Sequence, residues 1–180
     1  MEDYLLDTNA YFAILRYVIS QERNEKYERI LNGNCCISKL TRIEIISVIG
    51  KYARGAGRSV QICDRVPEGE IKPCGKKYVV REKRKWSQKK LRDWIKLENE
   101  IVNGRNPKIM VTVLEINDHV ITEAQKFIEQ ALLHNFGSMD AMMLGTAKAH
   151  STEEKKMIVV TADKGFKAGM DRIGFPHISI

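Results

Sequence analysis

The most regular feature of the chain is a set of short apolar runs, each bounded by polar residues. Runs of this length without helical spacing are typical of strands buried on both faces of a parallel sheet. They occur at residues 4–6, 35–38, 110–114, 157–160 and 177–180. We expect the last of these strands to lie at an edge of the sheet.

The segments between these runs repeat their apolar residues at helical spacing. The clearest stripe lies in residues 118–133 and includes Val120, Ala124 and Phe127, which predicts an amphipathic helix. Further helices are predicted at residues 11–19, 25–31, 41–52, 138–150 and 164–173. Strands that alternate with helices in this way predict an α/β fold with a mainly parallel sheet.

Residues from about 51 to 108 interrupt this alternation. Glycines and prolines between positions 55 and 75 predict a loop or hairpin. Residues 87–102 then predict one helix, which ends before Gly104. The segment has too few apolar residues to form a core of its own. We therefore expect one domain over residues 1–180, with an insertion at about 51–108.

Charge is concentrated in this central segment. The chain has 30 Lys and Arg against 23 Asp and Glu, a net charge of +7. Between Lys51 and Lys108 there are 17 basic and 7 acidic residues. A polyanionic partner, most simply nucleic acid, would explain this asymmetry. A solvated charged surface explains it about as well when composition is considered alone.

Several classes of protein and site are not supported. No apolar run approaches the roughly 20 residues that a membrane-spanning helix needs. Glu2 and Asp3 stand where a secretory signal would carry positive charge, so we expect a cytoplasmic protein with reduced thiols and no membrane partner. The cysteines form no CxxC pair and the histidines are scattered, which argues against a Cys/His metal site. These residues are Cys35, Cys36, Cys63, Cys74, His119, His134, His150 and His177.

Four acidic residues occupy positions that carry chemistry in parallel-sheet proteins. Asp7 and Asp163 follow predicted strands, Glu44 lies in an apolar helix, and Asp140 lies in the first turn of another. Ligands of such folds bind beyond the carboxyl ends of the strands. Carboxylates gathered there would repel one another unless a cation neutralised them, and hard ions such as Mg²⁺ or Mn²⁺ suit carboxylate ligands. The pattern outlines a phosphodiester-cleaving site.

Each acid also has a structural explanation. Asp7 and Asp163 are suited to helix caps or turns, and Asp140 to a helix N-terminus that Ser138 caps. Glu44 has the spacing of a capping box with Thr41. Taken singly, these readings are the simpler ones.

Other enzyme classes fit less well. A haloacid-dehalogenase-like phosphatase needs a second Asp two residues after the first, where this chain has Asn9. A Rossmann or P-loop nucleotide binder needs a glycine-rich first turn, which residues 8–10 do not supply. A non-catalytic RNA-binding protein stays open as an alternative.

The order of the motifs resembles that of the PIN-domain nucleases, over residues 4–175. The resemblance rests on the sequence LLDTN at residues 5–9, the apolar helix with Glu44, Asp140 at a helix start, and VTAD at residues 160–163, followed by Phe166. Within that family the chain looks most like the compact VapC-like ribonuclease toxins of toxin–antitoxin pairs.

The resemblance implies a three-layer sandwich with a parallel central sheet. It implies that Asp7, Glu44, Asp140 and Asp163 bind Mg²⁺ or Mn²⁺ and catalyse RNA hydrolysis, with support from Thr8, Asn9 and Thr161. An antitoxin-like inhibitor protein and a homodimer also come from the resemblance. Phe166 is expected to pack the last helix. The apolar residues Tyr11, Phe12, Ile14 and Leu15 suit either the core or a partner surface.

The basic insertion departs from the compact toxins. It could guide RNA phosphates toward the acids, with Trp86 stacked on a base. The candidate RNA-binding residues are Lys83, Arg84, Lys85, Trp86, Lys89 and Lys90. For Trp94 we expect packing of the insertion instead. An RNA-processing role would suit such an insertion as well as a toxin role.

Overall fold

The computed structural model describes residues 2–20, 24–55, 57–62, 75–82, 85–129 and 136–180. The strands in these ranges are β1 Asp3–Leu6, β2 Asn34–Ser38, β3 Gly57–Ile62, β4 Lys77–Glu82, β5 Val111–Leu114, β6 Met157–Thr161 and β7 His177–Ser179. The helices are α1 Thr8–Ser20, α2 Glu25–Leu31, α3 Lys39–Ala53, α4 Gln88–Val102, α5 Asp118–Glu129, α6 Ser138–Ala149 and α7 Lys164–Ile173. None of these helices has the length and apolarity needed to cross a bilayer.

Five strands form one sheet in the order β5-β2-β1-β6-β7, and every neighbouring pair is parallel. Leu5 of the central strand is level with Cys36 of β2 and Val159 of β6. The predicted α/β fold with a parallel sheet is confirmed, and β7 lies at the edge as expected. The chain order reverses between β1 and β6, which is where open parallel sheets form ligand crevices.

Both faces of the sheet are covered. Tyr4, Leu5 and Leu6 of β1 are all buried although successive strand residues point to opposite faces. On one face, Leu5 belongs to a core cluster that includes Leu144 of α6 and Met170 of α7. These observations confirm the three-layer sandwich.

Helix α1 contributes its apolar residues to the core. Tyr11, Ile14 and Leu15 are completely buried, and Phe12 is nearly so. Since these side chains are not exposed, the interpretation of this stripe as an open partner surface was wrong. The simpler interpretation, core packing, is the one that the structure shows.

The chain divides into two compact units, and the boundaries fall inside α3 and α4. One unit consists of residues 46–96 and the other of the residues before and after them. The larger unit contains the five-stranded sheet. The smaller unit contains the antiparallel pair β3 and β4, with Gly57 opposite Glu82 and Ile62 opposite Lys77. This pair is the hairpin that the glycine and proline pattern indicated. Treating the whole chain as one domain with an insertion stays a prediction.

Two helix starts differ from those predicted. Helix α3 begins at Lys39, and Ser38 caps it by accepting a hydrogen bond from the Thr41 amide at 3.0 Å. The Thr41–Glu44 capping box was therefore wrong, since the strand passes directly into the helix. At α6 the capping position is Gly137, so the assignment of the cap to Ser138 was wrong by one residue.

The contact between α5 and α6 requires a glycine. A Cβ added at Gly145 of α6 would lie 2.6 Å from the Ala124 amide nitrogen and 2.7 Å from the Val120 carbonyl oxygen of α5. Both of these atoms belong to backbone, which cannot move away without separating the helices. The absence of a side chain at position 145 therefore sets how closely the two helices approach.

We expect Gly145→Ala to destabilise the protein by about 1–3 kcal/mol, because the added methyl overpacks the contact. Gly50→Ala is the matched control. That glycine also lies inside a helix, but its added Cβ would meet only the flexible end of Arg54. Better helix propensity should then raise stability by about 0.5–1 kcal/mol. Urea unfolding measures both variants, and equal effects would contradict the proposed close contact.

Candidate active site

Asp7 joins the central strand to α1. Its amide donates a hydrogen bond to the Val160 carbonyl at 3.0 Å, which continues the pairing of β1 with β6. Its own carbonyl accepts the first bond of the helix, from the Tyr11 amide at 2.8 Å. The carboxylate accepts from the Ala10 amide and from the Thr161 hydroxyl. Asp7 thus caps α1 and stands at the carboxyl end of β1.

Asp163 has the corresponding position after β6. Its Oδ1 accepts hydrogen bonds from the amides of Gly165 at 2.7 Å and Phe166 at 3.0 Å, so it caps α7. Its own amide donates to Thr161 Oγ1 at 2.9 Å. Thr161 therefore contacts both acids, since its hydroxyl donates to Asp7 and accepts from Asp163.

Glu44 lies in the second turn of α3 and is half-buried. The Thr8 hydroxyl, at the start of α1, donates to Glu44 Oε2. The neighbouring Ile43 is 68% exposed, so this helix presents apolar side chains to solvent and not only to the core. The sequence pattern indicated an apolar surrounding for Glu44 but gave no sign of the Thr8 contact.

Asp140 lies in the first turn of α6 and is half-buried. Its Oδ2 accepts a hydrogen bond from the Gly137 amide at 2.9 Å. The same carboxyl group experiences the charges of Asp163 and Glu44. The inference that α6 begins at the same edge of the sheet is consistent with these interactions.

Electrostatics connect the four acids. Burial raises the pKa of Asp7 to about 6, the hydrogen bonds from Thr161 and Ala10 oppose that rise, and the charge of Asp163 adds to it. Burial also raises the pKa of Asp140, and its carboxylate neighbours add to that shift. The charge of Asp163 thus affects the pKa of both Asp7 and Asp140, and the charge of Glu44 affects that of Asp140, so each of the four acids interacts electrostatically with at least one other.

The chemistry of these side chains fits a hard divalent cation. All four candidate ligands are carboxylates. Asp7 is only 7% exposed, so water solvates its negative charge poorly, and a bound cation would compensate for that loss. The described ranges contain no three Asp, Glu, His or Cys side chains already placed to hold a metal ion.

The supporting residues named from the sequence have different surroundings. Thr8 and Thr161 hold carboxylates by hydrogen bonds, whereas the side chain of Asn9 is exposed. The backbone amide of Asn9 lowers the pKa of Asp7. Phe166 is buried and its ring packs edge-on against Phe136, with ring centroids 6.2 Å apart. The expected packing role of Phe166 is thus seen in the structure.

The candidate RNA-binding residues lie in the smaller unit, and Lys83 and Arg84 fall outside the described residues. Lys85 and Lys89 are exposed, and Lys89 pairs with Asp93 at 3.0 Å. Trp86 is half-buried, and the centroid of its ring lies 4.9 Å from that of the buried Trp94.

The Trp86 ring has a cation of its own chain beside it, because Lys90 Nζ lies 4.6 Å from its centroid. Stacking of Trp86 on a base therefore stays a prediction. So does every contact of this unit with RNA.

The cysteines support no metal or redox site in the part of the chain that is described. Cys35 and Cys36 are buried free thiols, and burial raises the pKa of both. Cys63 and Cys74 lie outside the described residues.

The sequence matches the PIN domain over residues 4–169. This chain belongs to the PIN-domain family. Proteins of this family are generally nucleases, and the family resemblance inferred from the four acidic motifs is confirmed. No curated protein is similar enough in sequence to count as a match.

Two solved structures share this PIN fold. The DNA-bound VapBC from Salmonella typhimurium is 18% identical, with 99% of this chain and 98% of that chain covered and a TM-score of 0.55. VapBC2 from Rickettsia felis, bound to a DNA fragment from its promoter, is 12% identical, with 98% and 97% covered and a TM-score of 0.52. At these identities the similarity shows the fold of the PIN domain.

We expect Asp7→Asn to stabilise the metal-free protein by about 1–3 kcal/mol at pH 7.5. A carboxyl whose pKa rises on folding from 3.8 to about 6 opposes folding once it is ionised, so the penalty is complete above pH 6 and absent below about pH 4. Asn keeps the shape and carries no charge, and it should lose this advantage as the pH falls.

Urea unfolding in EDTA at pH 7.5 and pH 4 measures this difference. Glu154→Gln, at an exposed loop residue, is the control and should show no such pH dependence. A stability of Asp7→Asn below that of the wild type at pH 7.5 would show that the carboxylate is not desolvated.

Proposed function

We propose that this PIN-domain protein is a metal-dependent endoribonuclease that hydrolyses RNA phosphodiester bonds. The observation that carries the proposal is the pairwise electrostatic interaction that links Asp7 to Asp163, Asp163 to Asp140 and Asp140 to Glu44, with Asp7 and Asp163 following the two strands between which the chain order reverses. Buried acids with raised pKa values in such a crevice are typical of functional sites. Structural caps alone would not require these acids to interact with one another electrostatically.

Asp7, Glu44, Asp140 and Asp163 would hold Mg²⁺ or Mn²⁺, which supplies Lewis-acid polarisation and a water of lowered pKa. Asp7 has a fixed orientation because the Ala10 amide and the Thr161 hydroxyl each engage its carboxylate. Thr8 holds Glu44 in the same way. The hydrogen-bonded threonines thus orient the ligands before the cation binds, which reduces the cost of assembling the site.

We further propose that the protein is the toxin of a toxin–antitoxin pair. The support is the fold shared with two VapBC complexes over nearly the whole chain. An antitoxin-like inhibitor protein and a homodimer are the partners that follow. A cytoplasmic location is proposed on the same ground.

The basic segment supports RNA as the substrate. Residues 46–96 contain 15 basic and 5 acidic residues, a balance of +10, whereas the rest of the chain has 15 basic and 18 acidic residues, a balance of −3. We propose that Lys83, Arg84, Lys85, Trp86, Lys89 and Lys90 bind RNA. The same charge favours a second candidate function, an RNA-binding or RNA-processing factor without toxin activity.

The deciding experiment is cleavage of a mixed pool of structured RNA in Mg²⁺ or Mn²⁺. We expect cleavage that EDTA abolishes, and Asp140→Asn should reduce kcat/KM by about a hundredfold or more, since it removes a ligand charge needed in the transition state. Asp171→Asn, with an exposed acid outside the site, should cleave like the wild type. RNA binding without cleavage in the wild type would favour the binding-factor function.

We expect neutralisation of Lys83, Arg84 and Lys85 to weaken RNA binding and its salt dependence. Loss of three phosphate contacts should reduce the slope of log K against log salt by about 2 for single-stranded RNA. The control neutralises Lys108, Lys148 and Lys156, which are exposed in the unit that contains the sheet. Fluorescence anisotropy measures the slopes. Equal slopes for the two triple variants would show that Lys83, Arg84 and Lys85 do not contact RNA and belong to a solvated charged surface.

A further inference from the structure

A second buried polar cluster lies in the unit that contains the sheet. It consists of Tyr11 on α1, Arg42 on α3 and Glu98 on α4. Tyr11 is 0% exposed and Glu98 is 1% exposed, whereas the side chain of Arg42 reaches solvent. Nothing in the four acidic motifs involves these residues, so the cluster lies outside the site described above.

The polar atoms of this cluster are poorly satisfied. Arg42 Nε lies 3.5 Å from Glu98 Oε1, which is a long ion pair. Within the described residues, neither the Tyr11 hydroxyl nor Glu98 Oε1 has a hydrogen-bond partner. A buried carboxylate with one weak partner is costly, and hydrophobic replacement of such pairs is often neutral or stabilising. A contribution to the stability of the fold therefore does not explain why an acidic residue occupies position 98.

The sequence contains a sign of this position. Trp94 and Ile101 form the buried stripe of α4, and Glu98 lies between them, four residues after one and three before the other. Residues at these spacings share one helix face. An acidic side chain in the middle of an apolar stripe is an exception to helix amphipathicity that calls for a physical explanation.

The cluster connects the two helices that meet at Glu44. Thr8 begins α1 and donates to Glu44, and Tyr11 follows it by about one helical turn. Arg42 precedes Glu44 by two residues on α3. Arg42 pairs with Glu98, and the charges of both residues affect the pKa of Tyr11. A displacement of Glu98 would therefore act on α3 through the ion pair and would change the electrostatic surroundings of Tyr11 on α1.

We propose that Glu98 is a positioning residue for Glu44, acting through Arg42 on α3 and, by way of one ordered water, through Tyr11 on α1. The water would accept a hydrogen bond from the Tyr11 hydroxyl and donate one to Glu98 Oε1, which would satisfy both unpaired atoms. Glu98 touches neither substrate nor metal. The inference rests on the proposed function only in that Glu44 takes part in it.

The first test measures the position of Glu44 without any reaction. In the metal-free protein, the carboxyl carbon of Glu44 gives a ¹³C resonance that Glu44→Gln identifies by its loss. We expect Glu98→Gln and Glu98→Leu to shift this resonance at fixed pH, and Glu154→Gln, at an exposed loop residue, to leave it in place. An unshifted resonance in both Glu98 variants overturns the proposal.

The second test measures catalysis. We expect Glu98→Gln to lower kcat on RNA about tenfold or more while KM stays within about twofold, because small misplacement of a ligand affects the reacting geometry more than binding. Glu98→Leu should show the same loss with stability at or above that of the wild type. The double variant Arg42→Gln with Glu98→Gln should be no worse than either single variant.

These outcomes separate the two proposals. A wild-type protein that cleaves no RNA overturns the proposed function, and the Glu44 resonance still decides the role of Glu98. Wild-type kcat in folded Glu98→Gln and Glu98→Leu overturns the positioning role and leaves the nuclease in place. If Glu98→Gln fails to fold, Glu98→Leu, which carries no buried polar group at this position, supplies the comparison.

Discussion

The burial of one carboxylate governs the rest of this structure. Asp7 ends the central strand with both faces of the sheet covered, and it cannot move toward solvent without breaking the β1–β6 pairing and the first turn of α1. Its negative charge is desolvated, which raises its pKa. Hydrogen bonds from an amide at the start of α1 and from a hydroxyl at the end of β6 partly stabilise that charge.

The proposed chemistry would use the same carboxylates that cap the helices at this site. Asp7, Asp140 and Asp163 each accept backbone amides at a helix start, and so each contributes to folding as well as to the acidic neighbourhood. The capping bonds fix where the carboxylates point, while their mutual repulsion is a cost that the caps help to offset. Sites with this conflict are commonly less stable than the fold permits. The structural and functional readings of the acids are therefore complementary.

The sequence predicts the sheet well because its signal is local. Each strand is a short apolar run, and parallel strands buried on two faces need little else. The acids at strand ends could be placed on the same ground, since all carboxyl ends of a parallel sheet meet at one edge. Helix starts were less predictable, since Ser38 and Gly137 serve as caps one residue or more from the expected positions. At α3 the reason is that β2 extends to Ser38 and passes directly into the helix.

Contacts between distant segments could not be predicted. The bond from Thr8 to Glu44 joins residues 36 positions apart, and no spacing rule relates them. Glu98 was not singled out from the sequence, and the residues that interact with it come from two other helices. Such pairings depend on how α1, α3 and α4 pack against one another. That packing is determined by the volumes and shapes of the side chains, which a hydropathy pattern does not describe.

The distribution of charge completes the physical argument. Four carboxylates repel a phosphodiester, and the residues outside 46–96 carry a net charge of −3, so they offer an RNA no general attraction. Hydrolysis at this site would need positive charge from two sources with different tasks. The acids would hold a divalent cation, which would supply positive charge close to the scissile phosphate. The +10 segment would raise the local concentration of RNA through many weak, salt-sensitive contacts. Separating the tasks would let the acids keep the negative charge that metal ligation requires, while the chain as a whole would still attract a polyanion.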